Sequence, residues 1–343
     1  MNKIKPEPVI TVFMAAYNAA AYIKEAIESV ITQTFEDYEL LIVDDGSVDN
    51  TFEIISSFND PRIRVIRNGK NMGLTSTRNV ALNEAKGTYL AILDSDDIAM
   101  KNRLQLQYDF FSENPQFALC GSQAFIIDNS GNQKDEKLVV PTDPDKLKIT
   151  MLFSNSYVNS SVMMKTAVLR ELGGYKDYAP AEDYELFTRI AEKYPIKNLP
   201  EFLVKYRQHE HNISTVQSAI GAEKVRQIKK NQLLAIGLEP DSTSIATMMS
   251  LLMWQYEKTT FADYLNLFTN LKAANRRLKK YRPDLFERLL FDRWFEVIYQ
   301  KKAKMNALSL LFNKNLFNWS YVSARQLRKT FKLSLKGMGS ISK

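Results

Sequence analysis

The sequence predicts an α/β protein with a mixed central sheet flanked by helices, followed by a C-terminal helical extension. In the first half, short apolar or β-branched runs alternate with segments of helical period, which is typical of a sheet built from βαβ units. Polar clusters follow the second and fourth of these runs, where an open α/β sheet places its ligand crevice. From about Ser218 onward only helical periodicity remains, and glycine and proline are scarce.

The elements of the first part follow from their periodicity. Strands are predicted at residues 9–14, 39–43, 63–67, 89–93, 118–127, 137–140, 157–164 and 202–206. Helices are predicted at residues 20–34, 74–85 and 182–193, and another begins near Lys101. The sequence Asp-Asn-Ser-Gly at 128–131 predicts a turn between two strands, so the sheet gains antiparallel members and is mixed.

Charge divides the chain near the same point as periodicity does. Residues 1–217 hold 23 basic and 30 acidic residues, a net charge of −7, whereas residues 218–343 hold 23 and 9, a net charge of +14. Residues 301–343 hold ten basic residues and no acidic one. We therefore expect an α/β domain at 1–217 and a basic helical region at 218–343, whose end is attracted to anionic surfaces.

Composition disfavours several other classes of protein. Hydrophobic residues make up 45% and charged residues 25%, as in ordinary globular proteins, and the single Cys120 cannot form an internal disulfide. The acidic first part opposes a nucleic-acid backbone, so no nucleic-acid partner is expected. The first strand leads into Ala-Ala-Tyr-Asn and not into a glycine-rich dinucleotide turn. No secretion signal or apolar run of spanning length is visible, so we expect a cytoplasmic protein, free or peripheral on a membrane face.

The sharpest candidate site is Asp94-Ser95-Asp96-Asp97, directly after the fourth predicted strand. Three carboxylates within four residues repel one another unless a cation or an array of donors neutralises them. Hard oxygen ligands favour Mg²⁺ or Mn²⁺, either of which can bridge the oxygens of a diphosphate. The alternative is a solvated acidic turn that caps the helix near Lys101.

Two further segments of the first hundred residues carry candidates. Asp44 and Asp45 follow the second strand, where a carboxylate can accept from a nucleobase or a ribose. Their alternative is a plain turn with a helix cap a few residues on. Arg78 lies at the start of a predicted helix, where it pairs either with a phosphate or with a structural acid.

The last candidates lie in the second half of the α/β part. Glu182 and Asp183 open a predicted helix, as a general base for an acceptor hydroxyl or as a helix cap. Both histidines of the chain fall within residues 206–214. The imidazole of His209 can complete a metal shell and Arg207 can face phosphate, although most single histidines neither bind metal nor catalyse.

Taken together and in this order, these segments resemble the inverting family 2 glycosyltransferases of the GT-A fold, including the bacterial type that makes cell-surface polysaccharide. The resemblance covers about the first two thirds of the chain. It rests on Tyr17-Asn18, DDGSVDNT at 44–51, NMGLTSTRN at 71–79, DSDD at 94–97, GGY at 173–175, ED at 182–183 and YRQHEHNIS at 206–214. The sequence departs from the family at Ala15-Ala16, often proline or a small polar residue there, and at Thr77, usually alanine.

The resemblance implies which residues hold the donor and the metal. Asp45, near Tyr17, would contact the base of a nucleoside diphosphate, usually uridine, and Asp94 would face the ribose. Asp96 would ligate the Mn²⁺ or Mg²⁺ cofactor, and His209 would close over metal and phosphate. The residues expected to bind the nucleotide sugar are Tyr17, Asp44, Asp45, Arg78, Asp94, Ser95 and Arg207.

The same resemblance implies a catalytic base at Asp183, beside Glu182. The implied reaction is a single displacement from a UDP-sugar to a hydroxyl of a glycan or lipid-linked acceptor, with residues 1–100 on the donor side and 101–217 on the acceptor side. The alternative is a non-catalytic nucleotide-sugar or glycan-binding protein on the same fold.

The basic tail at 301–343 either lies on an anionic membrane surface or packs on the protein's own core.

Overall fold

The computed structural model describes residues 7–210, 218–303 and 306–338, and the chain forms two compact units. The first unit consists of Met1–Lys148 and Asn155–Val225, and the second of Ile149–Ser154 and Arg226–Lys343. Parts of three sequence predictions lie outside the described residues. These parts are the division of the chain near 217, the end of the motif at 206–214, and residues 304–305 and 339–343 of the basic tail.

The first unit is built on a mixed sheet, to which the described residues contribute nine strands. They are β1 (Ile10–Ala16), β2 (Tyr38–Asp44), β3 (Ile63–Arg67), β4 (Tyr89–Ile92), β5 (Ile98–Ala99), β6 (Leu119–Ile127), β7 (Gln133–Leu138), β8 (Met163–Lys165) and β9 (Ile196–Arg207). Their spatial order is β3-β2-β1-β4-β8-β6-β9-β5, with β7 paired to β6. The predicted α/β class with a mixed sheet is confirmed.

Strands β1 to β4 form the parallel part of the sheet. β2 and β4 pair with β1, and β3 pairs with β2, all in parallel. β1 and β2 are buried along nearly their whole length because most of their side chains are apolar on both faces. Since the carboxyl ends of parallel strands meet at one edge, Tyr17, Asp44 and Asp94 follow their strands at the same edge of the sheet.

The antiparallel strands bring a distant part of the chain to that edge. β8 pairs antiparallel with both β4 and β6, and β9 pairs parallel with β6. The two-residue strand β5, just after the acidic turn, pairs antiparallel with Val204 and Lys205 of β9. The end of β9 therefore lies beside Asp96 and Asp97.

Helices alternate with these strands along the chain. Those before residue 200 are Ile23–Ile31, Thr51–Ser56, Leu74–Glu84, Arg103–Glu113, Pro144–Thr150, Thr166–Glu171 and Glu182–Lys193. The predicted helices at 20–34, 74–85 and 182–193 are each present, the first of them shorter at both ends. The short helices at 51–56, 144–150 and 166–171 have too few turns to show a clear period in the sequence.

The strand predicted at 157–164 is wrong over most of its length. The structure has a 3-10 turn at Asn159–Ser161, and β8 begins only at Met163. The hydroxyl of Ser161 donates to the carbonyl of Val158, and the side chains of Asn159 and Ser160 bind Asp94. Polar side chains with such partners compete with the ladder of a sheet, which explains the break.

From Arg226 onward the described residues of the second unit form helices joined by turns and loops, with no strand among them. Its helices, with the one that leads into it, are Ser218–Ala235, Ser242–Leu252, Phe261–Leu278, Pro283–Gln300, Ala307–Leu311 and Ala324–Met338. They enclose an apolar core centred on the fully buried Trp294, to which Leu152 and Phe153 also belong. The predicted helical extension is confirmed. None of the described helices combines the length and apolarity needed to cross a bilayer.

Gly87 lies where the start of β4 approaches β1 most closely. A Cβ atom added there would lie 2.3 Å from the backbone nitrogen of Thr11 and 2.6 Å from the carbonyl carbon of Ile10. Because backbone cannot move aside without disturbing the pairing of β1 and β4, we expect Gly87→Ala to lower the free energy of unfolding by about 3 kcal/mol.

Urea denaturation measures this change. Gly69→Ala is the matched control, because no atom lies within 4 Å of an added Cβ there, and its effect should stay within about 0.5 kcal/mol. Equal unfolding midpoints for the two variants would contradict the prediction.

Candidate active site

The acidic turn after β4 is held by the 3-10 turn that precedes β8. The side-chain amide of Asn159 donates to both carboxylate oxygens of Asp94, at 2.9 and 3.1 Å, and the hydroxyl of Ser160 donates to one of them at 2.9 Å. The backbone N–H of Asp94 donates in turn to the Ser160 hydroxyl. These donors fix the Asp94 carboxylate, which stays about one third exposed.

Asp96 and His209, the two predicted metal ligands, are in direct contact. The His209 Nε2 atom lies 2.9 Å from Asp96 Oδ2, and the imidazole stacks on the ring of Tyr22 with centroids 5.0 Å apart. Burial, together with the charge of Asp94, raises the pKa of Asp96. A bound cation would lower it again, because a positive charge favours the ionised carboxylate.

This pair passes a test of whether it fits a divalent ion. Across 7–210, 218–303 and 306–338, no group of three or more His, Cys, Asp or Glu side chains is arranged to hold a metal. A carboxylate oxygen and an imidazole nitrogen nevertheless supply two of the six ligands of an octahedral ion, and Mg²⁺ is commonly held by one or two carboxylates plus substrate phosphates. The donor set therefore fits Mg²⁺ or Mn²⁺ only together with a diphosphate.

Asp97 anchors the acidic turn to β9 and does not cap the next helix. Its Oδ1 atom accepts from the backbone N–H of Arg207 at 2.7 Å, which ties the acidic turn to the end of β9. The helix Arg103–Glu113 begins instead after Asn102, without a side-chain cap. Burial, followed by the charges of Asp96 and Asp94, raises the pKa of Asp97 well above its usual range.

Arg207 is buried, and its guanidinium joins several chain segments around Asp96 and His209. Its Nε donates to the carbonyl of Asp96 at 2.8 Å, and its Nη1 donates to the carbonyls of Asp128 and Asn129 at 3.2 Å. Its Nη2 contacts Glu25 at 2.5 Å. The guanidinium is thus bound to protein groups, and its contact with phosphate stays a prediction.

Arg78 joins the acidic turn to the start of the helix Glu182–Lys193. Its Nη1 lies 2.7 Å from Glu182 and its Nη2 lies 3.9 Å from Asp94, and both Arg78 and Glu182 are almost fully buried. The guanidinium also packs over the ring of Tyr175, 5.3 Å from its centroid. The structural ion pair that the sequence left open is therefore present.

Asp183 is partly buried beside this ion pair. Its Oδ2 accepts from the side-chain amide of Asn155 at 3.1 Å, and its Oδ1 accepts from the backbone N–H of Tyr184 at 2.6 Å. Burial and the neighbouring charge of Glu182 raise the pKa of Asp183 to about 6, against the opposing effect of Arg78. At neutral pH the group is ionised and more basic than an exposed aspartate.

Asp44 and Asp45 are buried at the end of β2, and both bind neighbouring loops. Asp45 accepts from the side-chain amide of Asn68 at 2.7 Å and from the backbone N–H groups of Met72 and Gly73 at 2.9 Å. Asp44 accepts from the N–H of Ser47 and pairs with Arg67 at 3.1 Å.

An open cleft of about 450 Å³ lies beside these two acids. It is lined by Gly46, Ser47, Val48, Arg67, Asn68 and Gly69. Tyr17, which follows β1, is half exposed, and Ser95 is partly exposed within the acidic turn. The structure thus links Asp94, Arg78, Glu182 and Asp183 by contacts and charge, and it joins Asp96 to His209. Asp44, Asp45 and Tyr17 form a separate group along the same strand edge.

Comparisons with known proteins decide the family. The model of the family described as "Glycosyl transferase family 2" matches residues 11–172. An uncharacterized glycosyltransferase of Haemophilus influenzae is 32% identical over 237 residues, which cover 66% of this chain and 73% of that protein. The chain belongs to glycosyl transferase family 2. A further relative of this glycosyltransferase, the UDP-Glc:alpha-D-GlcNAc-diphosphoundecaprenol beta-1,3-glucosyltransferase WfgD of Escherichia coli, is 29% identical over 75% of this chain and 97% of its own.

Two solved structures share the fold of this glycosyltransferase. S. aureus TarS 1-349 in complex with UDP-GlcNAc matches with a TM-score of 0.54 at 19% identity, over 96% of this chain and 92% of that one. The mannosyltransferase PcManGT of Pyrobaculum calidifontis, in complex with GDP-Man and Mn²⁺, matches with a TM-score of 0.53 at 15% identity, over 97% and 88%. At these identities the likeness shows the fold alone, which confirms the predicted GT-A fold.

Several residues at the site of this glycosyltransferase were not found from the sequence. Asn155, Asn159 and Ser160 orient Asp183 and Asp94, but they lie in a segment that was assigned in part to a strand. Their polarity within that segment was the available signal. Tyr22 stacks on His209 from a helix start nearly two hundred residues away, and no sequence pattern connects the two.

Arg207 offers a test of how much the site depends on one guanidinium. Arg207→Met keeps most of the side-chain volume but leaves the carbonyls of Asp96, Asp128 and Asn129 without this donor. We expect the free energy of unfolding to fall by about 2–4 kcal/mol, because buried groups that lose their partners are costly.

The control is Glu25→Gln, which removes the charge of the half-exposed acid that faces the same guanidinium. Its effect should stay within about 1 kcal/mol, as for an exposed ion pair. Chemical denaturation of both variants gives the comparison, and a larger loss for Glu25→Gln than for Arg207→Met would refute this account.

Proposed function

We propose that this glycosyltransferase transfers a sugar with inversion from a UDP-sugar to a hydroxyl group of a glycan or lipid-linked acceptor in the synthesis of surface polysaccharide. The observation that carries the proposal is the series of charges from Asp183 through Glu182 and Arg78 to Asp94. It connects a partly buried carboxylate of raised pKa with the strand end at which the donor is expected.

Asp183 is the proposed catalytic base. Its pKa of about 6 leaves it ionised at neutral pH and basic enough to share the proton of a hydroxyl group in the transition state. Asn155 and the Tyr184 N–H hold its two oxygens. As Asp183 takes the acceptor's proton, the acceptor oxygen bonds to the anomeric carbon and the bond from that carbon to the diphosphate breaks.

The donor is proposed to lie along the edge from β2 to β4. A carboxylate offers about four acceptor positions, so Asp45, which has three donors, retains one for a base N–H beside Tyr17. Asp94 is held by Asn159 and Ser160 in a partly exposed position suited to ribose hydroxyls.

The remaining donor-side residues act on these groups. Asp44 shapes the turn at the base end through Ser47 and Arg67. Ser95 stands in the chain between Asp94, the proposed ribose contact, and Asp96, the proposed metal ligand. Residues 1–100 would thus carry the donor side and residues 101–217 the acceptor side.

Asp96 and His209 are proposed to hold Mn²⁺ or Mg²⁺. When bound, the ion would stabilise the negative charge of the departing diphosphate. Tyr22 packs against one face of the imidazole, and Arg207 binds the Asp96 carbonyl, so both residues position the pair without touching the donor.

The names of the similar proteins support this choice of donor and acceptor. WfgD is named for UDP-Glc and for an acceptor linked to diphosphoundecaprenol, and the TarS fragment was solved with UDP-GlcNAc. PcManGT was solved with GDP-Man and Mn²⁺, so the same fold also accommodates guanosine. For this chain we propose uridine, on the resemblance of its donor motifs.

A non-catalytic binding protein on the same fold is the alternative. A binding module has no need for a partly buried carboxylate whose pKa is raised and whose two oxygens are oriented, because removing a charge from water is costly. Asp183 therefore favours turnover.

The substitution Asp183→Asn tests the proposed base directly. The amide keeps the shape of the carboxylate but cannot accept the proton, so we expect transfer to fall by about 10²–10⁴-fold. Binding of UDP-sugars with Mn²⁺, followed by thermal shift, should stay close to that of the unmodified protein.

Asp177→Asn serves as the matched control, since Asp177 is an exposed aspartate shortly before the same helix. It should retain full transfer and full donor binding. Undiminished transfer by Asp183→Asn would remove Asp183 from the mechanism, and donor binding without turnover by the unmodified protein would favour the binding-module alternative.

The pH dependence of kcat should show an acidic limb with a midpoint near pH 6, because Asp183 must be ionised to act as a base. Arg78 lowers the pKa of Asp183, so Arg78→Met should move this limb to higher pH. Arg78→Lys, which keeps the positive charge, should leave the limb near its original position. A limb that moves to lower pH in Arg78→Met would contradict the assignment.

A further inference from the structure

The last described helix, Ala324–Met338, exposes large apolar side chains and buries small polar ones. Phe331 is 54% exposed and Leu335 is 49% exposed, and the two lie one turn apart on the same face of the helix. Gln326, Thr330 and Ser334, also spaced by one turn, are buried on another face. In water alone, this orientation leaves hydrophobic area unburied.

The packing of Leu327 and Leu333 on the core of the second unit and one hydrogen bond to a neighbouring helix hold the helix in this orientation, and two local hydrogen bonds fix its first turns. The side-chain amide of Gln326 donates to Asp292 at 2.8 Å, and its oxygen accepts from the N–H of Ser323 at 2.8 Å. The hydroxyl of Thr330 donates to the Gln326 carbonyl. A rotation that buried Phe331 would break the contact between Gln326 and Asp292, so the apolar pair stays outward.

The same exposed face is basic. Arg325, Arg328 and Lys332 flank Phe331 and Leu335 and are themselves exposed, and within the described residues none of the three forms an ion pair. The nearby helix Pro283–Gln300 carries acids, but they face other partners. Asp284, Glu287 and Glu296 pair with Arg282, with Lys272 and Arg276, and with Arg293, respectively.

We propose that this face, formed by Arg325, Arg328, Phe331, Lys332 and Leu335 and here called the basic–apolar face, docks on the surface of an anionic lipid bilayer. Phe331 and Leu335 would enter the boundary between head groups and acyl chains, while the three cations contact lipid phosphates. A nucleic-acid backbone would satisfy the cations but would leave the apolar pair in water.

The rest of the C-terminal segment agrees with this partner. The apolar residues Leu311 and Leu316 are buried in the core of the second unit, whereas Trp319 is 68% exposed. Trp319 and Phe312 pack around Phe317, and such aromatic groups favour the interfacial region of a bilayer. Packing on the protein's own core thus describes some residues of the tail, such as Leu311 and Leu316. Other residues, such as Trp319 and Phe331, face outward and are available to a membrane.

Flotation of the full chain with vesicles tests the proposal. Vesicles of phosphatidylcholine alone are compared with vesicles that also contain phosphatidylglycerol, without any sugar donor, so the result does not depend on the proposed transfer activity. We expect binding to the anionic vesicles, weaker binding at high salt, and little binding to phosphatidylcholine alone.

Two double variants separate the contributions. Phe331→Ser with Leu335→Ser should weaken partition into anionic vesicles about tenfold or more, because apolar area no longer enters the interface. Arg328→Glu with Lys332→Glu should weaken it at least as strongly at low salt, because each cation contributes about tenfold or less and is here reversed.

Matched controls carry the same changes elsewhere in the second unit. Trp254→Ser with Leu278→Ser removes two other exposed apolar groups, and Lys230→Glu with Lys258→Glu reverses two other exposed cations. Both should bind as the unmodified protein does. Equal binding to neutral vesicles, equal loss in the controls, or self-association in sedimentation that disappears in the Phe331 and Leu335 variant without any vesicle binding would each overturn the proposal.

Discussion

The buried pairing of Arg78 with Glu182 is the interaction on which the site depends. The strand ends and the helix start at Glu182 gather several carboxylates, and like charges in a poorly solvated place repel strongly. Arg78 offsets the charge of two of these carboxylates, Glu182 at 2.7 Å and Asp94 at 3.9 Å. Without this guanidinium, burial would favour neutral, protonated acids, and Asp183 would lose the influence that keeps its pKa near 6.

Arg207 fixes the end of the acidic turn, as Arg78 fixes its start, but it does so through hydrogen bonds and not through an ion pair with the turn. It binds the carbonyl of Asp96 with its side chain and the carboxylate of Asp97 with its own N–H. Asp96 and His209 therefore come from segments over one hundred residues apart and are brought together by β5, β9 and one arginine. The proposed two-ligand metal site needs this rigidity, because its other ligands would come with the substrate.

The sequence predicted much of this arrangement, and the failures have physical reasons. The parallel strands were predictable because they are buried on both faces and so appear as continuous apolar runs, and the helix at 182–193 matched at both ends. The segment at 157–164 failed because Asn159 and Ser160 bind Asp94, which alternation of apolar residues cannot reveal. The burial of Arg207 could not be predicted, because it depends on Glu25 and on the turn at Asp128, both distant in sequence.

The two parts of the chain carry net charges of opposite sign. Residues 1–217 carry a net charge of −7, which suits a site that gathers carboxylates for a cation, whereas residues 218–343 carry +14. An anionic leaflet attracts the second part and repels the first. A protein with these charges evenly mixed would bind the same surface less selectively, and its acidic site would compete with its own cations. Segregation of charge along the chain thus lets a carboxylate-rich site and an anionic partner coexist in one molecule.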